Sequence, residues 1–241
     1  MRSLPRDVDL ADLLDALAAH WNLTFGSLDY FPQGGGAYHW LGVTGDRRWI
    51  VTVDDLETKP WLGPDSDSVL PGLLAAYQTA LELRRTAGLS FVVAPEPGVS
   101  GACAIRLSAR YSVAVFPFVD GEAGQWNQAV DAAERTRVVH LLARLHQASP
   151  ASPAARRHAP HVPGRERFEV ALADLDRSWN AGPFAEPVRR LLAGHLDVIA
   201  GWFHRFDDLA EAVRRSGAGA VVTHGEPHPG NLIRTRDGYA L

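Results

Sequence analysis

VVTHGEPHPGNLIRTRDGYAL (residues 221–241) is the stretch that decides how the rest of the chain is interpreted. Two short apolar segments, AVVT (220–223) and NLIRT (231–235), predict strands on either side of the loop HGEPHPGN, and RDG predicts a turn into a third strand that begins at Tyr239. Proline and glycine restrict the backbone of this loop. Because Glu226 and Asn231 lie five residues apart within it, we expect a carboxylate and a carboxamide to face one point in space.

A carboxylate paired with a carboxamide suits phosphoryl transfer. Such a reaction needs a group that accepts the proton of an attacking hydroxyl and a neutral oxygen ligand for Mg²⁺. A second interpretation is that His224, Glu226 and His228, at alternating positions, bind a metal ion. Pro227 and Pro229 interrupt regular strand pairing and weigh against this alternative.

The composition of the chain limits the class of protein. It has 241 residues, 46% of them hydrophobic, which is enough for a substantial core in one large or two modest domains. A net charge of −4 offers no basic surface for nucleic acid, and no apolar run approaches the roughly 18 residues that span a bilayer. The single cysteine, Cys103, excludes an internal disulfide. We therefore expect a cytoplasmic protein without a nucleic-acid or membrane partner.

The first half of the chain predicts a helix followed by an antiparallel sheet. Leucines recur at helical spacing between Leu10 and Trp21, after an aspartate-rich start. TGDR (44–47) carries hairpin-turn residues, and LSAR (107–110) does so more weakly. A second helix, ended by Gly88, lies between these two hairpins. About five strands are expected, from the segments LTFGSLDYF, AYHWLGV, RRWIVTV, ACAIRL and YSVAVFPF.

The second half of the chain is predominantly helical. DAAERTRVVHLLARLHQ has apolar residues on one face, and a single long helix is predicted from Pro187 to about Gly217. We expect the apolar stripe between Val188 and Val213 on that helix to pack in a core. A solvated face is expected for the acidic residues of this half, Asp174, Asp176, Asp207, Asp208 and Glu211.

HGEPHPGN resembles the catalytic loop of the aminoglycoside phosphotransferase family, whose pattern is His-Gly-Asp, a few residues, and then Asn. LARLHQ (142–147) is similar to the family's helix ending in Leu-His, SVAVFPFVDGEAG to its hinge and FPQGGGAYHW to its glycine-rich turn. The resemblance implies an α+β, two-lobed protein-kinase-like fold. Residues 1–119 would form an N-terminal antiparallel sheet lobe that binds nucleotide, and residues 120–241 a helical C-terminal lobe with the catalytic loop. The antibiotic-kinase branch, including spectinomycin-type phosphotransferases, is the most similar part of the family.

The resemblance also implies ATP and Mg²⁺ as cofactors and gives individual residues roles. Glu226 takes the position of the catalytic base, His224 that of a structural histidine in the catalytic loop, and Asn231 that of a metal ligand. The residues expected to contact the nucleotide are Gly34, Gly35 and Gly36 over the phosphates, Thr52 and Lys59 beside them, and Phe116, Pro117, Phe118 and Val119 at the adenine ring.

The strand RRWIVTVDD departs from the family pattern, which places a lysine there for the α- and β-phosphates. Thr52 or a neighbour takes that position, and Lys59, the single lysine among 24 basic residues, lies several residues downstream. The glutamate that usually pairs with the strand lysine is also missing, and Tyr77 and Gln78 stand about where it would fall. Loss of both members of an ion pair is coherent, because either charge alone would be poorly compensated.

Two further departures concern the end of the chain. Glu226 replaces the family's aspartate, and the extra methylene moves the carboxylate by about 1.5 Å, a displacement that lowers rates on the order of a hundredfold. The family's second metal-binding residue, an aspartate, would follow the strand that begins at Tyr239, and the sequence ends at Leu241. We therefore expect a C-terminally truncated sequence, inactive as it stands even where the complete protein is an enzyme.

The function predicted by these features is transfer of the γ-phosphate of ATP to a hydroxyl of a small molecule, most simply an aminoglycoside or a related antibiotic. A metabolite such as choline, homoserine or a sugar is the next acceptor class, because related kinases share this loop. A degenerate kinase-like module that binds nucleotide or ligand without catalysis is the alternative from a different class. The replaced base and the missing strand lysine favour that alternative. The sequence predicts no oligomeric state.

Overall fold

The computed structural model describes residues 3–241. Contacts between residues divide the chain into two compact units. Unit 1 comprises the residues up to Arg156 together with Val221–Leu241, and unit 2 comprises Arg157–Ala220. Every residue predicted to act in catalysis or nucleotide binding belongs to unit 1. The lobe boundary predicted at residues 119–120 is a division of the kinase-like fold and stays a prediction.

Unit 1 contains the predicted five-stranded antiparallel sheet. Its strands are β1 (Ser27–Tyr30), β2 (Tyr38–Thr44), β3 (Arg47–Asp55), β4 (Ile105–Arg106) and β5 (Tyr111–Pro117). Their order is β1-β2-β3-β5-β4, and each neighbouring pair is antiparallel. The predicted TGDR hairpin is confirmed, since Thr44 lies opposite Arg47 and Gly45 adopts a φ of 60°, which glycine tolerates without strain.

Helix α1 (Leu10–Trp21) packs against this sheet. It begins after Asp9, whose side chain accepts a hydrogen bond from the backbone N–H of Ala11. Leu13 and Leu17 are fully buried. The core that they join consists of sheet residues, Trp40, Trp49, Val51, Val53, Tyr111, Val113 and Val115.

Helix α2 (Ser66–Arg85) is the predicted helix between the two hairpins. A capping box between Asp65 and Ser68 begins it, and the chain leaves it through Gly88, at a φ of 68°. Its buried residues include Leu73 and Leu81, which belong to two different clusters of the core. Through Leu73 the helix packs on Leu56, directly after β3, and through Leu81 it packs on Ala94 and Cys103, before β4.

The rest of unit 1 carries the loop at the end of the chain. Its elements are β6 (Glu122–Ala123), α3 (Ala132–Gln147), β7 (Ile233–Thr235), β8 (Gly238–Ala240) and 3-10 turns at Ser149–Ala151 and Pro229–Asn231. A second sheet has the order β6-β7-β8. The strand predicted at AVVT (220–223) is wrong, because the Val222 N–H donates to Ser149 Oγ at 2.7 Å and these residues form no regular element.

Unit 2 is helical, with α4 (Arg165–Ala173), α5 (Ala185–Ala193) and α6 (Leu196–Ser216). The prediction of one long helix from Pro187 to Gly217 is wrong. The backbone leaves the helical conformation at His195, with φ −125° and ψ 13°. Gly194 precedes this break, and a glycine destabilises the interior of a helix because it loses more conformational freedom than other residues.

The apolar stripe predicted for the core of unit 2 is largely exposed. Trp202, Leu209 and Val213 of α6 are 70%, 50% and 53% exposed, and Ala210 is the buried residue of this helix. The core prediction is therefore wrong for these positions. Across residues 3–241, no helix has both the length and the apolar character needed to cross a membrane.

The buried face of α1 gives a stability prediction. Leu17 is fully buried, so Leu17→Ala leaves a cavity and should lower the free energy of unfolding by about 2–5 kcal/mol. Leu10, on the same helix, is 47% exposed, and Leu10→Ala should change the free energy of unfolding by less than about 0.5 kcal/mol. Urea denaturation followed by circular dichroism measures both values. Equal losses would contradict the packing of α1 on the sheet.

Candidate active site

The loop between Val222 and β7 is held by hydrogen bonds among its own residues. Gly225 adopts a φ of 86°, which turns the chain immediately before Glu226. The backbone N–H groups of His228 and Asn231 then donate to the carbonyls of Glu226 and His228, each at 2.9 Å. Pro229 begins the 3-10 turn that follows. The loop before β7 therefore has a shape of its own, as its proline and glycine content predicts.

The side chains of Glu226 and Asn231 meet, as their spacing predicts. The Asn231 Nδ2 donates to the backbone carbonyl of Glu226 at 3.1 Å and to its Oε2 at 3.3 Å. The Glu226 side chain is 63% exposed, so its carboxylate is accessible to a reactant. Because the amide nitrogen of Asn231 faces the carboxylate, its Oδ1 is the atom that remains to bind a cation.

His224 is a partly buried residue of this loop. Its Nδ1 is buried, and within residues 3–241 it has no hydrogen-bond partner. Burial lowers the pKa of His224, the neighbouring His228 lowers it further, and Glu226 acts in the opposite direction. A buried neutral imidazole suits a structural position better than proton transfer.

His228 and Trp126 belong to the same neighbourhood. The His228 ring lies against Trp126, with 4.1 Å between ring centroids, and its Nε2 is 4.0 Å from Glu226 Oε2. Sequence reasoning considered His228 only as a metal ligand and gave Trp126 no role. In residues 3–241, no group of three or more His, Cys, Asp or Glu side chains is arranged to hold a metal ion, so the three-ligand alternative gains no support.

The single lysine forms a second cluster. Asp55 accepts the N–H of Glu57 and the hydroxyl of Thr58, which builds a 3-10 turn at Leu56–Thr58 and brings Lys59 back towards the sheet. The Lys59 Nζ lies 2.9 Å from Asp54 Oδ1, and the two side chains are 8% and 4% exposed. Lys59 therefore places an ammonium group beside the Asp54 carboxylate of β3, although β3 itself contains no lysine.

Helix α2 adds a neutral hydrogen-bond donor to this ion pair. The Tyr77 hydroxyl donates to Asp54 Oδ2 at 2.6 Å, so Asp54 has a partner at each carboxylate oxygen. Burial raises the pKa of Tyr77, and the charge of Asp54 raises it further, which keeps the phenol protonated as a donor. The two partners satisfy a carboxylate that would otherwise be expensive to bury. In this chain Tyr77 makes the link between helix and strand that a glutamate makes in the family pattern.

The glycine-rich turn meets Lys59 directly. Lys59 Nζ donates to the carbonyl oxygen of Gly36 at 2.7 Å. Gly34 adopts a φ of 73°, and a Cβ added at Gly35 or Gly36 would meet no atom within 4 Å. Gly34 therefore has a backbone conformation that favours glycine, and Gly35 and Gly36 have open space beside them.

Thr52 occupies the strand position where the family pattern has lysine. Its Oγ1 lies 3.1 Å from His39 Nδ1. Burial lowers the pKa of His39, and Asp54 is the group that opposes this shift. A Cβ on Gly34 would lie 3.5 Å from His39 Nε2, so His39 connects Thr52 with the glycine-rich turn.

The predicted hinge begins at the end of β5. The Phe116 ring packs edge-on against Tyr77, with 5.4 Å between centroids. Phe118 donates its N–H to the Arg48 carbonyl at 3.1 Å, and the Arg48 guanidinium lies over the Phe118 ring. Pro117 pairs with Trp49, and Val119 is half-buried directly after it. Through Tyr77, the structure brings the hinge and the Lys59 cluster together.

The acidic residues of unit 2 are mostly paired with basic partners. Arg165 donates to Asp207 through both of its terminal guanidinium nitrogens, and Arg214 donates to Glu211. These carboxylates lie on an exposed face, as predicted. Two surface cavities of this unit, of about 520 and 760 Å³, include none of the predicted site residues.

The sequence matches the family described as "Phosphotransferase enzyme family" over residues 31–240. No curated protein matches it. Among solved structures, spectinomycin phosphotransferase APH(9)-Ia, in complex with ADP and spectinomycin, gives a TM-score of 0.62 at 12% identity and covers 98% of this chain and 68% of that one.

Two further solved structures are similar. An aminoglycoside phosphotransferase from Alicyclobacillus acidocaldarius gives a TM-score of 0.55 at 17% identity, covering 100% of this chain and 66% of that one. Amicoumacin kinase hAmiN, in complex with AMP-PNP and Ca²⁺, gives a TM-score of 0.52 at 12% identity, covering 97% of this chain and 63% of that one. These likenesses confirm the predicted kinase-like α+β fold.

The partly buried His224 gives a prediction for stability against pH. Its folded-state pKa is lowered from an unfolded value of about 6.5. Below that pH the unfolded chain therefore binds more protons than the folded chain does. The free energy of unfolding should therefore decrease between about pH 6.5 and the folded-state pKa. Urea denaturation at several pH values, with wild type and His224→Asn, measures this slope. An unchanged slope in the variant would contradict the burial of a neutral imidazole.

Proposed function

This chain belongs to the phosphotransferase enzyme family, and from that membership we propose that it transfers the γ-phosphate of ATP to a hydroxyl of a small molecule. The observation that carries the proposal is the meeting of Glu226 with Asn231 in one exposed loop. A carboxylate and an amide oxygen at one point are the groups that phosphoryl transfer needs beside the nucleotide. His224, whose Nδ1 is buried, takes the structural position in this loop.

Glu226 carries the proton transfer in this proposal. Its carboxylate accepts the proton of the acceptor hydroxyl while that oxygen forms a bond to the γ-phosphorus and the bond from phosphorus to the β–γ bridging oxygen breaks. The products are the phosphorylated acceptor and ADP. Asn231 Nδ2 holds the carboxylate in place during this step, which limits the freedom that the longer glutamate side chain introduces.

Lys59 takes the phosphate contact of the absent strand lysine. An ammonium has three N–H donors, and two of them face Asp54 and Gly36. The third is available to a phosphate oxygen beneath the glycine-rich turn formed by Gly34, Gly35 and Gly36. Thr52 lies on the same strand as Asp54, and Phe116–Val119 supply backbone groups for the adenine ring.

Mg²⁺ fits the donor chemistry of the loop. The ion prefers oxygen ligands from carboxylates, amides and phosphates, and Asn231 Oδ1 is an oxygen of this kind beside the Glu226 carboxylate. Bound there, Mg²⁺ would neutralise charge on the β- and γ-phosphates. In this arrangement Asn231 would serve both neighbours, since its nitrogen donates to Glu226 and its oxygen would hold the ion.

An aminoglycoside or a related antibiotic is the acceptor class we favour, with antibiotic resistance as the consequence in the cytoplasm. The support is the structural likeness to a spectinomycin phosphotransferase and to an amicoumacin kinase. A metabolite alcohol such as choline, homoserine or a sugar is the second acceptor class. A non-catalytic module is the second function, favoured by Glu226 at the base position and Thr52 on the strand. Binding of ATP without transfer to any tested acceptor would support the module.

The role of Glu226 predicts the effect of its substitution. Glu226→Gln keeps the side-chain length and removes the proton acceptor, so kcat should fall about 10²- to 10⁴-fold. Glu226→Asp keeps the carboxylate and should lose less, and Glu122→Gln, on an exposed carboxylate of β6, should leave kcat unchanged. ADP release is measured with ATP, Mg²⁺ and a panel of aminoglycosides, spectinomycin and small alcohols. Undiminished transfer in Glu226→Gln would place the base elsewhere.

The role of Lys59 predicts a loss of nucleotide affinity. Lys59→Met removes a charged donor and should weaken ATP binding by about tenfold or more. Because that variant leaves Asp54 buried without its cationic partner, the double variant Asp54→Asn with Lys59→Met separates stability from binding. The double variant should recover thermal stability and still bind ATP weakly. Arg47→Met, at the exposed start of β3, is the control, and calorimetric titration measures each Kd. Wild-type affinity in the double variant would refute the contact.

A further inference from the structure

The orientation of the His228 ring is fixed by the residue two positions later. The Gly230 N–H donates to His228 Nδ1 at 3.0 Å. An N–H group donates only to an unprotonated ring nitrogen, so Nδ1 is the acceptor and the ring proton lies on Nε2. The hydrogen bond therefore selects one tautomer, and that tautomer carries its donor on the side of Glu226.

The donor of His228 faces the reactive carboxylate. Its Nε2 lies 4.0 Å from Glu226 Oε2, the same oxygen that accepts from Asn231 Nδ2 at 3.3 Å. The separation exceeds a direct hydrogen bond. Glu226 is the more exposed partner, at 63% against 20% for His228, so rotation of its own side chain closes the distance. Contacts of this kind often tighten only in the reacting complex.

The His228 ring has little freedom to turn away. Trp126 lies against one side of it, with 4.1 Å between ring centroids. Gly230 lies so close on its own side that an added Cβ would meet His228 Cε1 at 2.9 Å. The segment before Trp126 is anchored too, since the Gly124 N–H donates to the Pro229 carbonyl at 3.0 Å. The ring is thus held by the loop and by the segment after β6.

We propose that His228 is a positioning residue for Glu226, donating from Nε2–H to the carboxylate and, together with Asn231, holding the longer glutamate side chain where an aspartate would otherwise stand. Trp126 and Gly230 keep the imidazole in the orientation that this requires. The proposal deepens the proposed function and rests on it for its catalytic consequence. In this role His228 acts through Glu226 and makes no contact of its own with the reacting atoms.

Two substitutions at position 228 separate the two ring nitrogens. Asparagine offers an oxygen near the Nδ1 position, so His228→Asn keeps the acceptor for Gly230 and loses the donor to Glu226. Glutamine places its amide nitrogen near the Nε2 position, so His228→Gln keeps the donor. We expect His228→Asn to lower kcat about tenfold with KM for ATP unchanged, and His228→Gln to recover most of the loss. Equal losses in the two variants would overturn the proposal.

A second check measures the effect of His228→Asn in a protein that already carries Glu226→Asp. Glu226→Asp withdraws the carboxylate from His228 by about one bond length, roughly 1.5 Å. In that background, His228→Asn should lower kcat by less than about twofold, because interacting residues show non-additive effects. A full tenfold loss there would mean that His228 acts on the loop independently of Glu226, and the proposal would fail.

A spectroscopic measurement tests the contact without any turnover. In protein labelled with ¹⁵N-histidine, at about pH 8.5 where an ordinary imidazole is neutral, long-range proton–nitrogen correlations identify the tautomer. His228→Asn assigns the signals. We expect His228 to be protonated at Nε2 and its Nε2 signal to shift in Glu226→Gln. A ring protonated at Nδ1, or signals unchanged by Glu226→Gln, would refute the contact. Absence of transfer to every acceptor, with the tautomer and shift as expected, would refute the proposed function and leave the contact established.

Discussion

The buried ion pair between Lys59 and Asp54 connects the parts of the molecule to which our proposal assigns nucleotide binding. Asp54 belongs to β3, the strand between β2 and β5, and Lys59 follows the 3-10 turn after that strand. Tyr77 adds helix α2 through the second carboxylate oxygen, and the Gly36 carbonyl adds the glycine-rich turn. Removing one partner of such a pair leaves an uncompensated charge, which costs about 3–5 kcal/mol. The strand, the helix and the turn are therefore fixed relative to each other by one network.

The loop that we propose for catalysis is stabilised in a different way. Its contacts are local, from Glu226 to Asn231 and from His228 to Gly230, and the prolines and glycine limit the conformations of the backbone between them. Loops that carry function are commonly exposed and held by a rigid scaffold. Here β7 and the segment after β6 provide that scaffold. An exposed carboxylate within a fixed backbone is suited to accepting a proton from a bound acceptor.

The sequence predicts those features that depend on local patterns. The antiparallel sheet follows from alternating apolar residues and the TGDR turn, and the meeting of Glu226 with Asn231 follows from short spacing in a stiff loop. The break at Gly194 was missed, because an isolated glycine within a helical pattern is often tolerated. The exposure of Trp202 was missed, because helical periodicity identifies an apolar face and not what covers it.

Other features depend on the three-dimensional path of the chain. The return of Lys59 to Asp54 needs the cap that Asp55 makes on the 3-10 turn, and the spacing alone gives no sign of its direction. Trp126 reaches His228 because Gly124 packs on Pro229, more than a hundred residues away in the sequence. No local pattern identifies such a pair.

A crystal structure with a non-hydrolysable ATP analogue and Mg²⁺ tests the central claim most directly, namely that the lysine network and the loop serve one nucleotide. The account predicts a phosphate oxygen within about 3 Å of Lys59 Nζ and the Asn231 Oδ1 about 2.1 Å from Mg²⁺ on the same nucleotide. A nucleotide bound away from Lys59, or an ion that leaves Asn231 without a contact, would contradict it.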